Sequence, residues 1–487
     1  MSKSVKVNAL LNAIRQTMSI LFPLITFPYV SRMLGNEAYG QYMFAVSIVS
    51  YFLLFASFGI SNYSVREGAR IRNSRDAIEN FVSEMFTFSI VTTLLAYLFL
   101  FIILMCSKKM EGYRTLILIH SLCILLNCVG VDWINTIYED FKYITIRYIV
   151  IQFFALFALF ILIKSPADIF KYAVIVVLGS YGGNIVNVFY IKKYVRLKVN
   201  FRIHLKQHIV PLLLLFVNSL AVVIYVNSDI TLLGYFVSDG EVGIYSFASR
   251  IYNMIKQFIN AIMIVLVPRL AFLRDKDEKK YIYYIEQLWT YVFIFVIPIV
   301  VGVFMFSDSI ISIVGGIAYA KGTGTLRILS FSLLFALLSS VYTNCILIIN
   351  RKEARCLIAT VSSALINVGL NLVFIPQFGI EGAAATTVIA EMVNMFIQSY
   401  YAKKEMNIKI SLKRNNILSL IVGTVWIVMV CTMLNYWIEA ASIWDDILKI
   451  VIGVIISGIG YMIFLYLFGN AMVIDLKNKL CRKFLDR

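Results

Sequence analysis

The sequence predicts an all-α polytopic membrane protein: fourteen transmembrane helices in two pseudo-symmetric six-helix lobes, plus two extra C-terminal helices. Three observations predict it. Apolar residues make up 60% of the 487 and charged residues only 15%, a composition outside the range of soluble domains of this length. The apolar residues gather in runs of about 20, enough to cross a bilayer. Basic residues concentrate in alternate connections, as membrane topology requires.

In order, the predicted spans are 8–31, 41–65, 81–105, 115–137, 144–163, 168–191, 209–236, 242–266, 284–306, 326–349, 357–375, 380–402, 416–436 and 446–468. The first carries Pro23 and Pro28, which remove two helical hydrogen bonds and should bend it. A short turn follows, from Ser31 to Gly40, and the second span ends at Arg66-Glu67. Pro211 should bend the start of the seventh span in the same way. Residues 1–191 make the first lobe, 192–208 a basic linker and 209–402 the second lobe. Residues 403–487 hold spans thirteen and fourteen and a basic tail. That last pair is either an appendage of the second lobe or a separate groove for a lipid tail.

One set of connections carries Arg66, Arg70, Arg72 and Arg75, then the linker from Lys192 to Lys206, then Arg274 to Lys280. Arg351, Lys352 and Arg355, the run Lys403 to Arg414, and the tail from Lys477 belong to the same set. The positive-inside rule places these connections and both termini in the cytoplasm. Laying Leu34–Arg66 over Val237–Arg269 without a gap matches Gly40 to Gly243, Tyr42 to Tyr245, Phe44 to Phe247 and Arg66 to Arg269. Both stretches are an outer turn followed by a descending helix, so we expect two related lobes around a central site.

Several function classes are disfavoured. The net charge of +17 sits in loops and argues topology rather than nucleic acid. Three scattered histidines do not make a metal site. The seven cysteines lack a CxxC and read as small buried hydrophobes. No loop exceeds about 20 residues and no carboxylate pair stands out, so we expect no enzyme. The first apolar segment is too long for a cleavable signal peptide.

Charges within the membrane cost about 3 kcal/mol each and need a reason. Asn8, Asn12, Arg15 and Ser19 share one face of the first span. Ser246, Arg250, Asn253, Gln257 and Asn260 share one face of the eighth, with Lys256 about 120° from Arg250. The second span offers Ser50, Ser57, Ser61 and Ser64. The seventh offers Asn218, Tyr225 and Asp229, and the twelfth Glu391, Asn394 and Gln398. One reading is a cationic water-filled cavity in which Arg15 and Arg250 grip phosphate or pyrophosphate. The other is that Arg15 snorkels to the interface while Asn and Gln tie helices together. Asp229 and Glu391 are either ion-coupling sites or counter-ions of Arg15, Arg250 or Lys256. Arg66 and Arg269 either form an inner gate with acids such as Glu67 or anchor topology.

Pro28-Tyr29-Val30-Ser31-Arg32-Met33-Leu34-Gly35 with Tyr39-Gly40-Gln41-Tyr42 resembles the first hairpin of Wzx-type polysaccharide flippases, of the multidrug/oligosaccharidyl-lipid/polysaccharide exporter superfamily. Asp132-Trp133 with Glu139 and Tyr143 to Arg147 is similar to that family's fourth-to-fifth junction. Tyr225 to Tyr245 is similar to its seventh-to-eighth hairpin, and Pro376 to Ala384 to its turn between spans eleven and twelve. The likeness covers nearly the whole chain, in the expected order. It implies a flippase moving polyprenyl-pyrophosphate-linked oligosaccharide repeat units across a bacterial cytoplasmic membrane by alternating access, for O-antigen or capsule. It implies no cofactor and coupling to H+, Na+ or the membrane potential. The expected form is a monomer beside polysaccharide polymerase machinery. By the resemblance, Arg15 and Arg250 contact pyrophosphate or acidic sugar and Asp229 is a candidate for ion coupling. From their helical faces Asn12, Asn253 and Gln257 join them as expected substrate contacts, with Lys256 as a second-rank one. Pro28, Arg32 and Gly35 shape the outer end of the first span.

The sequence departs from the pattern in two places. Between Tyr42 and Tyr63 there is no arginine, unlike lipid-linked peptidoglycan precursor flippases. Asn135-Thr136-Ile137-Tyr138 replaces a Gln-Gly before Glu139. A drug/cation antiporter of the same superfamily and a membrane polymerase or glycosyltransferase are the alternatives. An antiporter would favour acids where Arg15 stands.

Overall fold

The computed structural model describes residues 5–199, 205–406, 414–438, 442–470 and 473. Among these the chain is helical, without a strand, and twelve stretches are long and apolar enough to cross a membrane. The chain divides into two compact units, Met1–Gly243 and Ile244–Arg487.

The first unit opens with α1 (Val5–Ser57). Its helical geometry continues through Pro23 and Pro28. The residue that leaves it is Gly35, at φ 69° and ψ 176°. The chain reverses there: Phe27 and Tyr39 rings lie 6.1 Å apart, where a straight helix would separate them by about 18 Å. The expected proline bend is thus overshadowed by a glycine turn. Proline still adopts helical φ, whereas only glycine takes this φ/ψ pair at low cost.

A second break, unforeseen from sequence, interrupts the second predicted span. Phe58 and Gly59 are both left-handed, at φ 41° and 73°. The chain resumes as α2 (Ile60–Ile71), followed by α3 (Arg75–Cys106) and α4 (Arg114–Val129). The fourth span is also shorter than expected: Gly130 and Val131 leave helical geometry and a short α5 follows (Asp132–Ile137). Then come α6 (Phe141–Leu162), α7 (Ile169–Tyr181) and α8 (Gly183–Tyr190). The unit ends with α9 (Leu205–Phe236), continuous through Pro211, and the first turn of α10 (Asp239–Ile264).

Lipid offers apolar surface no reason to leave it, so close backbone approach and polar links hold such helices together. The repeat-related glycines make the tightest crossing in this unit. A Cβ on Gly40 would sit 1.8 Å from the Asp239 carbonyl oxygen, and one on Gly243 would sit 1.8 Å from that of Asn36. Gln41 Nε2 donates to Asp239 Oδ2 at 3.0 Å, and the Tyr113 hydroxyl donates to the other carboxylate oxygen.

The second unit continues α10 into α11 (Val267–Lys276), α12 (Glu278–Met305), α13 (Ser307–Gly315) and α14 (Thr323–Val341). A π-helical turn, Tyr342–Leu347, interrupts the tenth predicted span. Next is α15 (Glu353–Met406), broken at Gly379 with φ 56° and ψ −132°. It too folds back, because Thr386 Oγ1 donates to Asn371 Oδ1 across 15 residues, about 22 Å in a straight helix. The chain closes with α16 (Arg414–Trp437) and α17 (Ile443–Leu467). Gly460 lies under the Trp426 ring and Gly423 under Tyr461, so these two helices pack closely.

The repeat seen in sequence has a structural counterpart inside each unit. Phe44 packs on Tyr113 at 4.8 Å in the first. Its equivalent Phe247 stacks on Tyr319 at 4.2 Å in the second. Each aromatic partner lies in a 3-10 turn ahead of a helix, Lys108–Tyr113 and Ile317–Gly322.

The two kinds of glycine should respond differently to alanine. At Gly35 a Cβ meets nothing within 4 Å, so Gly35→Ala costs only backbone strain, about 1–3 kcal/mol. At Gly40 the same methyl must push a carbonyl aside, so Gly40→Ala should lower the unfolding midpoint in nanodiscs by more. An equal or smaller loss for Gly40→Ala would contradict the close crossing.

Candidate functional site

Four basic groups on predicted spans one, five and eight behave in two ways. On α6, Arg147 is paired: its Nη2 lies 2.6 Å from both carboxylate oxygens of Asp132, and its guanidinium sits 5.4 Å from the Tyr143 ring centre. Asn187 Nδ2 supports the pair with bonds to Asp132 and Asn135. On α10, Lys256 is paired as well: Nζ lies 2.6 Å from Glu391 Oε1. The Tyr252 hydroxyl donates to the same oxygen at 3.1 Å. Glu391 is 2% exposed, so its role as a counter-ion has a concrete partner, and the partner is Lys256.

Arg15 and Arg250 differ. Arg15 is half-buried and donates to Asn12 Oδ1 at 3.3 Å. Arg250 is exposed. Neither faces a carboxylate among the described residues, and Arg250 has no hydrogen-bond partner there either. Of its stripe, Ser246 is buried, Asn253 bonds back to the Ser249 carbonyl at 2.9 Å, and Gln257 is exposed beside it on the next turns. The α10 face therefore offers a free guanidinium with a free carboxamide seven residues on, about two helical turns.

The remaining candidates fall elsewhere. Asp229 on α9 is 6% exposed. It lies in electrostatic reach of Tyr51, whose hydroxyl is 3.0 Å from Thr231 Oγ1; Ser47 Oγ is 3.1 Å from the same atom. Arg66 pairs with the adjacent Glu67 at 3.0 Å, and Arg70 takes the other oxygen, so Glu67 is engaged by its own helix. Arg269 donates to the Tyr284 hydroxyl at 3.4 Å. Arg32 is exposed near the Gly35 turn. Ser57 and Ser61 line a cavity of about 230 Å³ within the first unit, together with Asn127, Asp132, Trp133 and Asn184.

In the second unit an apolar cavity of about 330 Å³ runs between α12, α16 and α17, lined by Gly302, Phe306, Ile427, Gly453, Gly458 and Tyr461 among others. Sequence reasoning passed over Glu84 on α3 and His208 on α9. The available signal was position: Glu84 is a carboxylate nine residues into an apolar helix, where a charge needs a partner.

This is a multi-pass membrane protein with the fold of a known flippase: it superposes on lipid II flippase MurJ, inward closed conformation, with a TM-score of 0.76 at 18% identity. The match covers 96% of this chain and 100% of the other. Residues 5–273 match the model of the polysaccharide biosynthesis protein family, and the chain belongs to that family. Two relatives carry informative names. A Haloferax volcanii protein named as the low-salt glycan biosynthesis flippase Agl15 is 28% identical over 40% of this chain and 41% of its own. An Escherichia coli K12 protein named as an O-antigen transporter is 21% identical over 55% of this chain and 65% of its own. The chain thus spans less than two thirds of either relative.

Proposed function

We propose that this protein translocates polyprenyl-pyrophosphate-linked oligosaccharide repeat units across the cytoplasmic membrane, by alternating access, for surface polysaccharide assembly. One observation carries the reading: on the polar face of α10 Arg250 is a permanent charge with no acid beside it among the described residues, while Lys256 on the same helix is neutralised by Glu391. A cation left unpaired at a cost of several kcal/mol suits an anionic cargo, and a guanidinium suits pyrophosphate in particular. Arg15 offers a second such group, steadied by Asn12. Family membership and the names of both relatives support the same conclusion.

In this reading α1 and α15 each cross the membrane twice, which makes fourteen crossings from twelve stretches. Residues 1–191 and 209–402 are the two repeats, a division supported by the matching aromatic pairs. The basic connections and both termini face the cytoplasm. The polyprenyl tail rests in the apolar cavity beside α16 and α17, while Asp229 remains the candidate for H+ or Na+ coupling. A drug/cation antiporter fits less well, because Arg15 and Arg250 would repel its cargo.

The deciding test is the sidedness of lipid-linked oligosaccharide in cells with and without the protein. Sugar trapped on the cytoplasmic face only in the deletion supports the proposal. Unchanged exposure in a deletion lacking any other flippase sinks it. A second expectation concerns the tail. Gly302 lines the apolar cavity and a Cβ there meets nothing within 4 Å, so Gly302→Phe should fill the cavity without unfolding the protein. Transport of long-chain carrier should fall several-fold, with a short-chain analogue much less affected. Equal loss for both chain lengths would remove the tail from this cavity.

A further inference from the structure

Three predicted spans of the first unit are interrupted around one cavity. The second span breaks at the left-handed Phe58–Gly59 step. Phe58 stacks there on Phe216 at 4.5 Å with planes 9° apart, and a Cβ on Gly59 would meet Leu215 Cβ at 2.8 Å. The fourth span breaks at Gly130 and Val131, between α4 and α5. The sixth changes helix at Gly182, between α7 and α8. Residues beside all three interruptions line the cavity of about 230 Å³: Ser57 and Ser61 at the first, Asn127 and Asp132 at the second, Ser180 and Asn184 at the third. Interrupted helices at membrane depth persist where they are buried in protein or line a polar cavity, and transporters build their sites from them. Ser61 precedes Arg66 by five residues and Asn184 precedes Lys192 by eight, about 7 and 12 Å of helix. The cavity therefore lies in the half of the unit nearer the basic connections.

Part of the lining is fixed, and part is left to bond something else. The Ser57 hydroxyl donates to the Leu53 carbonyl at 2.7 Å and accepts from Asn127 Nδ2 at 3.0 Å. Asn184 Nδ2 donates to the Leu126 carbonyl at 2.9 Å. It occupies space that glycine at 130 leaves open, since a Cβ there would sit 2.0 Å from this nitrogen. Asp132 accepts two bonds from Arg147 and one from Asn187, of about four that a carboxylate can take, and its side chain is 40% exposed. Among the described residues the carboxamide oxygens of Asn127 and Asn184 receive no donor, and the hydroxyls of Ser61, Ser89 and Tyr181 in the same lining have no hydrogen-bond partner.

The chemistry of the lining selects the ligand. Asp132 is the one charged side chain among the described lining residues, and Arg147 already pairs with it, so the cavity does not favour a free anion or cation. It offers hydroxyls, carboxamides and one carboxylate beside the rings of Trp133 and Tyr181. That pattern meets a sugar, whose hydroxyls both donate and accept and whose ring carbons rest on aromatic faces. The volume lies below the roughly 300–1,000 Å³ of sites for drug-sized ligands, which limits the ligand to a single ring. We propose that this cavity binds one neutral sugar residue, as a subsite for the oligosaccharide of the cargo, filled from the side of the basic connections. Arg147 positions the Asp132 carboxylate from behind. As a step in translocation this rests on the flippase reading; as a sugar site it does not.

Saturation-transfer NMR reads binding without transport. The protein in nanodiscs is compared with empty nanodiscs, with the methyl glycosides of glucose, galactose, mannose and N-acetylglucosamine as probes. At least one glycoside should take up saturation, and Ser89→Phe, which fills the cavity, should cut that signal several-fold. Asn127→Ala should do the same by removing a carboxamide. It strands nothing, because Ser57 keeps its bond to Leu53, so it tests the site even where the larger side chain disturbs folding. No transfer to any of these glycosides, or transfer that Asn127→Ala leaves unchanged at a native unfolding midpoint, overturns the proposal. Transport of lipid-linked oligosaccharide into vesicles is measured alongside. Both variants should raise its KM several-fold at unchanged protein level. Transport that neither variant alters rejects the subsite and leaves the flippase reading intact. If glycosides bind as expected while the native protein transports nothing, the flippase reading fails and the sugar site stands.

Discussion

Arg250→Ala should lower translocation of lipid-linked oligosaccharide by one to two orders of magnitude at unchanged protein level. A hydrogen bond to a charged group contributes about 1.5–3 kcal/mol, which corresponds to roughly 10- to 150-fold. Arg250 has no partner among the described residues to leave stranded, so its removal should change stability by less than about 0.5 kcal/mol. That separation of activity from stability is the signature to look for. Arg250→Lys keeps the charge and loses the planar fork, so it should recover only part of the rate. Arg15→Ala should cost less, since Asn12 already engages that guanidinium. The check is sugar exposure at the cell surface against protein abundance, followed by thermal unfolding of the purified variants. A normal rate in Arg250→Ala would make this arginine structural and move the search to Gln257 and Asp229.

Lys256→Met should be the most destabilising single change along α10. It leaves the Glu391 carboxylate buried, with the Tyr252 hydroxyl as its one remaining hydrogen-bond donor among the described residues. Breaking a buried pair on one side costs about 3–5 kcal/mol. The opposite change, Glu391→Gln, should cost less. The Lys256 side chain is 24% exposed, and its flexible stem can carry the ammonium toward solvent. Replacing both, as Lys256→Met with Glu391→Leu, should recover most of the loss, because no charge is then left alone. Unfolding midpoints in nanodiscs give the order directly. If Glu391→Gln proves worse than Lys256→Met, the lysine and not the carboxylate is the group that needs its partner.

The pairing of Lys256 with Glu391 changes how the polar face of α10 reads. From sequence, Lys256 looks like a second-rank substrate contact and Glu391 like an ion site of open assignment. In the fold they cancel, and the difference between the two basic groups on one helix becomes informative. The same holds for Arg147, which the sequence marks as a family position and the fold shows fastened to Asp132. A basic residue with an acid at 2.6 Å is committed to the scaffold; one without is available to a ligand.

The sequence by itself determined the class of fold, the family resemblance and the helical faces. Hydropathy over about 20 residues is a local property, and it survives in the structure as helices long and apolar enough to cross a membrane. It also located two reversals, at Gly35 and Gly379, because a turn of that kind needs glycine in the chain. Tertiary structure alone decided the rest. Nothing local marks Phe58 as left-handed, since packing against Phe216 and the fit of Gly59 on Leu215 hold it there. The partners Glu391 and Lys256 are 135 residues apart, and Glu84 and His208 are 124 apart. Which charges are neutralised and which stay free depends on distances between separate helices. Periodicity along one helix carries no information about those distances, so the division between scaffold and site became visible only once the helices were packed.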